Sequence, residues 1–149
     1  MRTFTSVDEL EAAVGESLGH TDWLEITQER VDRFAEATGD YQWIHVDVER
    51  AQEGPFGGTI AHGYLTLSLL PMFAGQLFAL ETPGAKLNYG SNKVRFMNPV
   101  RVGRRIRCTA RIAAVEQLRS GRQLTIAYTV EIEGEDKPAM VAEILTLLI

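Results

Sequence analysis

The hydrophobic positions change period about two-thirds of the way along the chain. In the N-terminal part they recur at helical spacing. Ser6 followed by Glu9 is a capping-box pattern and predicts a short helix that Gly15 ends. A second helix is predicted from Thr27, with Val31, Phe34, Ala35 and Thr38 as its inner stripe and Gly39 closing it. Asp47 to Gln52 offers one more turn, followed by the glycine-rich loop Gly54-Pro55-Phe56-Gly57-Gly58. The stretch from Ile60 to Leu80 is the most apolar in the chain. It is apolar nearly all round, which predicts one long buried helix, kinked where Pro71 removes a backbone donor.

Beyond this helix the period is two. Lys93, Arg95 and Met97 alternate with Val94, Phe96 and Asn98. Ile106, Cys108, Ala110 and Ile112 form one face of the next strand. Leu124, Ile126, Tyr128, Val130 and Ile132 form one face of a third. A last strand is predicted from about Ala139 to Leu148, with Ser120-Gly121 and Gly134-Glu135-Asp136 supplying turns. Half-polar strands joined by short hairpins predict an antiparallel sheet covered on one face. Only the helix from Ile60 is apolar enough to cover it. The expected fold is therefore α+β, an antiparallel sheet wrapped around one long buried helix, which is the hot-dog arrangement. The 149 residues, with no repeat or linker, predict a single domain over residues 1–149.

Composition narrows the class of function. A hydrophobic content of 45% and a charged content of 23% are ordinary for a soluble protein. The net charge of −5 argues against non-specific nucleic-acid binding, which needs a basic face. The single Cys108 allows no disulfide within the chain and suits a reducing cytosol. No signal-peptide pattern opens the chain, and no apolar run reaches the roughly 18 residues of a membrane span. A cytoplasmic protein without membrane contact is expected.

Two places carry candidate chemistry. Asp40 and His45 stand five residues apart just after Gly39, so a carboxylate and an imidazole could converge on one water. Trp43 and Ile44 between them would make the surroundings apolar and raise the carboxylate's pKa. On spacing alone the plainer reading is stronger, with Asp40 capping a turn and His45 at the surface. The second place is Gly57-Gly58-Thr59-Ile60-Ala61-His62-Gly63, a glycine-rich entry to the buried helix, whose free N–H groups could polarise a carbonyl. Its plainer reading is a packing loop with a structural His62. Gly15-Glu16-Ser17-Leu18-Gly19 matches the serine-hydrolase pattern without the strand-to-helix elbow that chemistry needs. His20, His45 and His62 lack metal-ligand spacing, so no metal is expected. Arg101, Arg104, Arg105 and Arg107 form a basic cluster, read as a solvated face or a grip on CoA phosphates.

The run Phe34-Ala35-Glu36-Ala37-Thr38-Gly39-Asp40-Tyr41-Gln42-Trp43-Ile44-His45, with Ala51 six positions on, resembles the signature of the MaoC-like, R-specific enoyl-CoA hydratases. Ile60-Ala61-His62-Gly63 and Asn88-Tyr89-Gly90 through Val94-Arg95-Phe96 resemble that family too. The likeness is greatest to its short actinobacterial (3R)-hydroxyacyl-CoA dehydratases. The resemblance implies Asp40 and His45 as the catalytic pair and the Gly63 N–H as the oxyanion donor. Tyr41, Trp43, His62, Asn88, Asn92 and Arg95 are candidate substrate contacts. It also implies an acyl-CoA substrate, no cofactor, and a homodimer paired through its sheets. Gln42-Trp43 replaces the family's Asn-Pro, and Trp43 is expected to form one wall of an acyl pocket along Leu65, Leu69, Met72 and Phe73. A hot-dog thioesterase would place its carboxylate on the long helix, but Ile60 to Leu80 has no Asp or Glu. A non-catalytic acyl-CoA-binding protein is the remaining alternative.

Overall fold

Local side-chain chemistry sets the ends of the first helices. In the computed structural model, which describes residues 1–149, strand β1 (Arg2–Phe4) leads into helix α1 (Val7–Ala12). The Ser6 hydroxyl accepts the Glu9 N–H, the cap read from the sequence. Strands β2 (Ser17–His20) and β3 (Leu24–Glu25) follow, so Ser17 lies at an exposed strand and not at a nucleophile elbow. Helix α2 (Gln28–Thr38) starts where Thr27 accepts the Arg30 N–H. It stops at Gly39, whose φ of +78° only glycine adopts without strain. Val31 and Ala35 are buried, Phe34 is half-buried, and Thr38 faces out. Two short helices, α3 (Trp43–Val46) and α4 (Val48–Gln52), complete this part.

The long helix differs from its expected form. It consists of α5 (Gly63–Ser68) and α6 (Leu70–Leu77), broken at Leu69 just before Pro71, where a backbone donor is missing. Ile60 and Ala61 are extended instead, with Ile60 bridging Arg101 and the Ala61 N–H donating to the Val100 carbonyl. At the other end, Phe78–Leu80 form strand β4, paired in parallel with β1. Nor is the helix buried all round. Leu65, Leu69, Phe73 and Leu77 are buried, whereas Tyr64, Ser68, Met72 and Gly75 are exposed.

The main sheet is formed by β5 (Lys86–Phe96), β6 (Arg105–Leu118), β7 (Gly121–Ile132) and β8 (Met140–Leu148), with β2 and β3 on β6. The pairings are antiparallel and the order is β2-β6-β7-β8-β5, so β5 forms a free edge. Strand β5 begins seven residues before the alternating pattern does. Its first half, Lys86 to Ser91, is polar and glycine-containing because both of its faces are largely exposed.

Register aligns the alternating apolar residues. Cys108 faces Val130, which faces Met140; Ala110 faces Tyr128, which faces Ala142. Those side chains meet Leu65, Leu69 and Phe73 in one cluster of 26 buried residues. Each fully buried Leu, Ile or Phe there contributes roughly 1.5–3 kcal/mol relative to exposure. The result is the α+β hot-dog arrangement, helix against the concave sheet face. Cys108 belongs to this core, and burial pushes its thiol pKa up to about 12, so it is an inert thiol. No helix is long and apolar enough to cross a membrane.

Candidate active site

Asp40 stands where the chain leaves α2. The Gly39 N–H donates to the Ala35 carbonyl at 2.8 Å, and the left-handed turn sends the next residue off the helix axis. One Asp40 carboxylate oxygen accepts the Gln42 N–H at 3.3 Å. The side chain is 51% exposed, so the apolar burial expected for it falls elsewhere. Trp43 points away, and its ring packs on Gly54 with the Arg50 guanidinium 4.2 Å above it.

The buried member is His45, at 6% exposure. Its segment is stitched to the entry of α5. Gln28 donates to the His45 carbonyl at 2.7 Å and accepts the Thr59 hydroxyl at 2.6 Å. The Ile60 N–H donates to the Ile44 carbonyl at 3.0 Å. The His45 ring is fixed by its Nδ1, 2.7 Å from the Ile60 carbonyl. A carbonyl only accepts, so Nδ1 carries the hydrogen and Nε2 the lone pair. His45 lines a cavity of about 220 Å³ with Ile60, Ala61, Gly63, Thr66, Phe96 and Val100. Burial holds its pKa below the usual histidine value. The Ile60 carbonyl opposes this, the neighbouring His62 adds to it, and Asp40 opposes it weakly.

His62 is not at the surface of the site but behind it, 2% exposed. Its ring stacks on His45 with centroids 3.9 Å apart and planes 23° from parallel. Its Nε2 donates to the Asp40 backbone carbonyl at 3.0 Å and lies 4.0 Å from the Asp40 carboxylate. Its Nδ1 is buried without a partner. The two histidines stand seventeen positions apart in sequence, so spacing alone does not bring them together. One nitrogen or oxygen from each of Asp40, His45 and His62 lies within 4.8 Å of the others. A water bonded to two groups at about 2.8 Å each spans that distance. The same three side chains are the natural place for a cation. One nitrogen of each ring, however, is already engaged with a carbonyl, and the free Nδ1 of His62 is buried behind the site. The arrangement suits proton transfer better than tetrahedral chelation.

Gly63 opens α5 beside this cavity. A Cβ there would meet the Phe96 ring at 3.0–3.2 Å, so the glycine lets that ring lie over the helix start. The other sequence candidates are not gathered at the pair. Tyr41 is exposed near Asp40. Asn92 reaches Glu143 at 3.5 Å, and Arg95 donates to the Val94 carbonyl, both along β5. Asn88 lines a second cavity of about 600 Å³ on the same side of the helices, with Leu67, Leu70, Pro71, Ala74 and Phe78. The expected pocket lining of Leu65, Leu69, Met72 and Phe73 is therefore on the wrong helix faces. Leu65, Leu69 and Phe73 lie in the core, and Met72 is exposed. Three of the four clustered arginines are paired with glutamates across β7 and the turn after it: Arg104 with Glu135, Arg105 with Glu133 and Arg107 with Glu131. Arg101 donates to the Gly57 carbonyl.

Comparison with known proteins agrees with this architecture. Residues 9–134 match the model of the MaoC like domain. The chain is 56% identical to the 3-hydroxyacyl-thioester dehydratase Z of Mycobacterium tuberculosis (strain ATCC 25618 / H37Rv) over 144 residues, 96% of this chain and 95% of that protein. It is 46% identical to Nodulation protein N of Rhizobium leguminosarum bv. viciae, covering 96% and 91%. Among solved structures, the (R)-hydratase from A. caviae involved in PHA biosynthesis superposes with a TM-score of 0.74 at 22% identity, covering 91% of this chain and 96% of that one. The unliganded R-hydratase PhaJ1 from Pseudomonas aeruginosa gives a TM-score of 0.72 at 24% identity, covering 91% and 81%. The chain belongs to the MaoC-like dehydratase family and is a hydro-lyase of the hot-dog fold.

Proposed function

We propose that the protein reversibly adds water to trans-2-enoyl-CoA to give (3R)-3-hydroxyacyl-CoA, with Asp40 and His45 holding the reacting water. The observation that carries this reading is the pair itself: a carboxylate and a fixed imidazole one water apart, the imidazole lining an apolar cavity. The dehydratase relative, named for a 3-hydroxyacyl thioester, supports the substrate class.

Each step follows from a group in place. Asp40 accepts one proton of the water as a hydrogen bond and aims its oxygen. His45 Nε2, a lone-pair nitrogen held neutral by burial, takes the other proton as the oxygen bonds to C3. The electrons of the C2–C3 double bond move toward the thioester carbonyl. Its oxygen gains negative charge and is met by the Gly63 N–H at the start of α5. The protonated pair then returns a proton to C2 on the same face, so one H and one OH are added in total. Neither α5 nor α6 carries an Asp or Glu, which weighs against hydrolysis by a helix carboxylate.

Crotonyl-CoA tests the reading. The enoyl absorbance is expected to fall without release of free thiol, and chiral analysis is expected to give the 3R alcohol. Thiol release would make the protein a thioesterase; mainly 3S product would refute the R-specific assignment.

The quaternary proposal rests on the free edge. Strand β5 has no partner on its outer side. Leu87, Tyr89, Phe96 and Met97 are exposed on or just after it, with Tyr64 stacked edge-on against Phe96 at 6.0 Å. An open edge that carries exposed apolar side chains among polar ones calls for a second strand. A homodimer joined through β5 is expected, with a solution mass of twice 16.6 kDa by light scattering. A monomer at micromolar concentration would contradict it. The reducing cytosol expected from the single buried thiol remains the proposed location.

A further inference from the structure

We propose that His62 is a positioning residue, which fixes both the ring of His45 and the backbone of Asp40 and so sets the geometry of the reacting pair. The inference rests on reading Asp40 and His45 as that pair. Three observations carry it. The His62 ring lies face to face with His45 at 3.9 Å, so it blocks one side of the catalytic imidazole. Its Nε2–H holds the Asp40 carbonyl at 3.0 Å, which pins a residue otherwise left on an exposed loop. Its Nδ1 is fully buried with no partner, an arrangement that costs stability by leaving a polar atom unsatisfied. A histidine kept only for packing would not need to carry that cost. The Phe34 ring, 4.9 Å away and tilted, backs His62 on another side and limits its movement.

One side chain thus touches both reacting groups while lining neither cavity. His45 can turn only about its link to the Ile60 carbonyl, and the stacked ring removes that freedom. The titratable groups facing His45 are His62 and Asp40. On α2, Asp32 is engaged by the same Gln28 that holds the His45 carbonyl. On α4, Arg50 lies over Trp43. The segment from β5 to Val100 brings Phe96, Asn98 and Pro99, none of them titratable. His62 is therefore the group whose removal alters the surroundings of His45 most directly.

Two variants separate the contacts. His62→Gln can still donate to the Asp40 carbonyl but has no ring. His62→Phe keeps a ring face but cannot donate. Either is expected to lower kcat for crotonyl-CoA hydration by about 10-fold or more, the scale of a misplaced catalytic group, with KM within about twofold. A second readout does not depend on turnover. The His45 imidazole, followed by NMR, is expected to titrate at higher pH in both variants, because a neighbour that disfavours its charged form is gone. The sign for activity follows. The base must be neutral, so a higher pKa moves the acid limb of kcat/KM to higher pH. Near wild-type kcat in both variants overturns the proposal. So does a loss of kcat with the His45 titration and acid limb unmoved, which would mark a purely structural residue. Loss of the folded circular-dichroism spectrum in both variants has the same meaning; if one folds, it decides. Failure of the underlying pair is recognised separately, by a fully active His45→Gln enzyme.

Discussion

Replacing His45 with glutamine is expected to reduce hydration of crotonyl-CoA at least about 10²-fold, the usual scale of lost general acid–base catalysis. Glutamine keeps a donor and an acceptor near the volume of the ring but cannot accept and release a proton at neutral pH. Asp40→Asn is expected to cost as much. An amide can still orient a water through its oxygen, but it supplies no charge to the protonated partner. If the two side chains serve a single water, as proposed, the double variant is expected to be little worse than the poorer single one. Steady-state rates on the three proteins check this. Asp40 is half-exposed and makes one side-chain hydrogen bond, so its replacement leaves the fold intact. His45 is stitched into the core-facing segment, so its variant is compared after a thermal melt. Near wild-type turnover in either single variant would remove that residue from the mechanism. Additive losses would mean two independent roles rather than one shared water.

What was legible in the sequence was local. The caps at Ser6 and Thr27 and the stop at Gly39 are short-range chemistry, and each lies where the residues predicted. The alternation in β6, β7 and β8 was legible because one face is buried by the helix. Strand β5 was half hidden, since an exposed edge imposes no alternation on Lys86 to Ser91. The ends of the long apolar stretch depart from helix for a related reason. Apolarity reports burial, and Ile60, Ala61 and Phe78 are buried as extended chain rather than helix. The Asp40 and His45 signature was visible, but the stacking of His62 on His45 depends on the stitch between Ile44 and Ile60, which no spacing encodes. The arginine cluster is the solvated face that the sequence offered, and strand register supplies what spacing does not encode, the partners, with Glu131 laid beside Arg107.

Chain-length preference is expected to be set by the larger cavity, not by Trp43. Thr66 lines the small cavity at His45, and Leu70, one turn further along the same helical face, lines the large one. On the sheet side, β5 contributes Phe96 to the first and Ser91, Gly90, Asn88 and Lys86 to the second. Phe96 and Ser91 are about 16 Å apart along the strand, at roughly 3.3 Å per residue. Both spaces lie between the helices and β5, and a groove joining them is the path proposed for the acyl chain. An acyl chain anchored at His45 would run along that groove toward the larger space. Each methylene buried there adds up to about 0.8 kcal/mol. The value of kcat/KM is expected to rise several-fold between acyl groups of four and eight carbons. Gly75 makes the test clean. It lines the large cavity from α6, and a Cβ at its position meets nothing within 4 Å. Gly75→Leu thus adds bulk to the cavity while raising helix propensity by close to 1 kcal/mol, so the fold is expected to be kept, which a thermal melt checks. Its kcat/KM for a twelve-carbon substrate is expected to fall about 10-fold or more, with the four-carbon substrate within about twofold of wild type, the contrast that steric exclusion from one pocket produces. Trp43→Ala is expected to leave the length profile unchanged, since that ring packs on Gly54 under Arg50. The reverse pattern, a profile moved by Trp43→Ala and untouched by Gly75→Leu, would put the acyl chain on the Trp43 side of His45 and refute the groove.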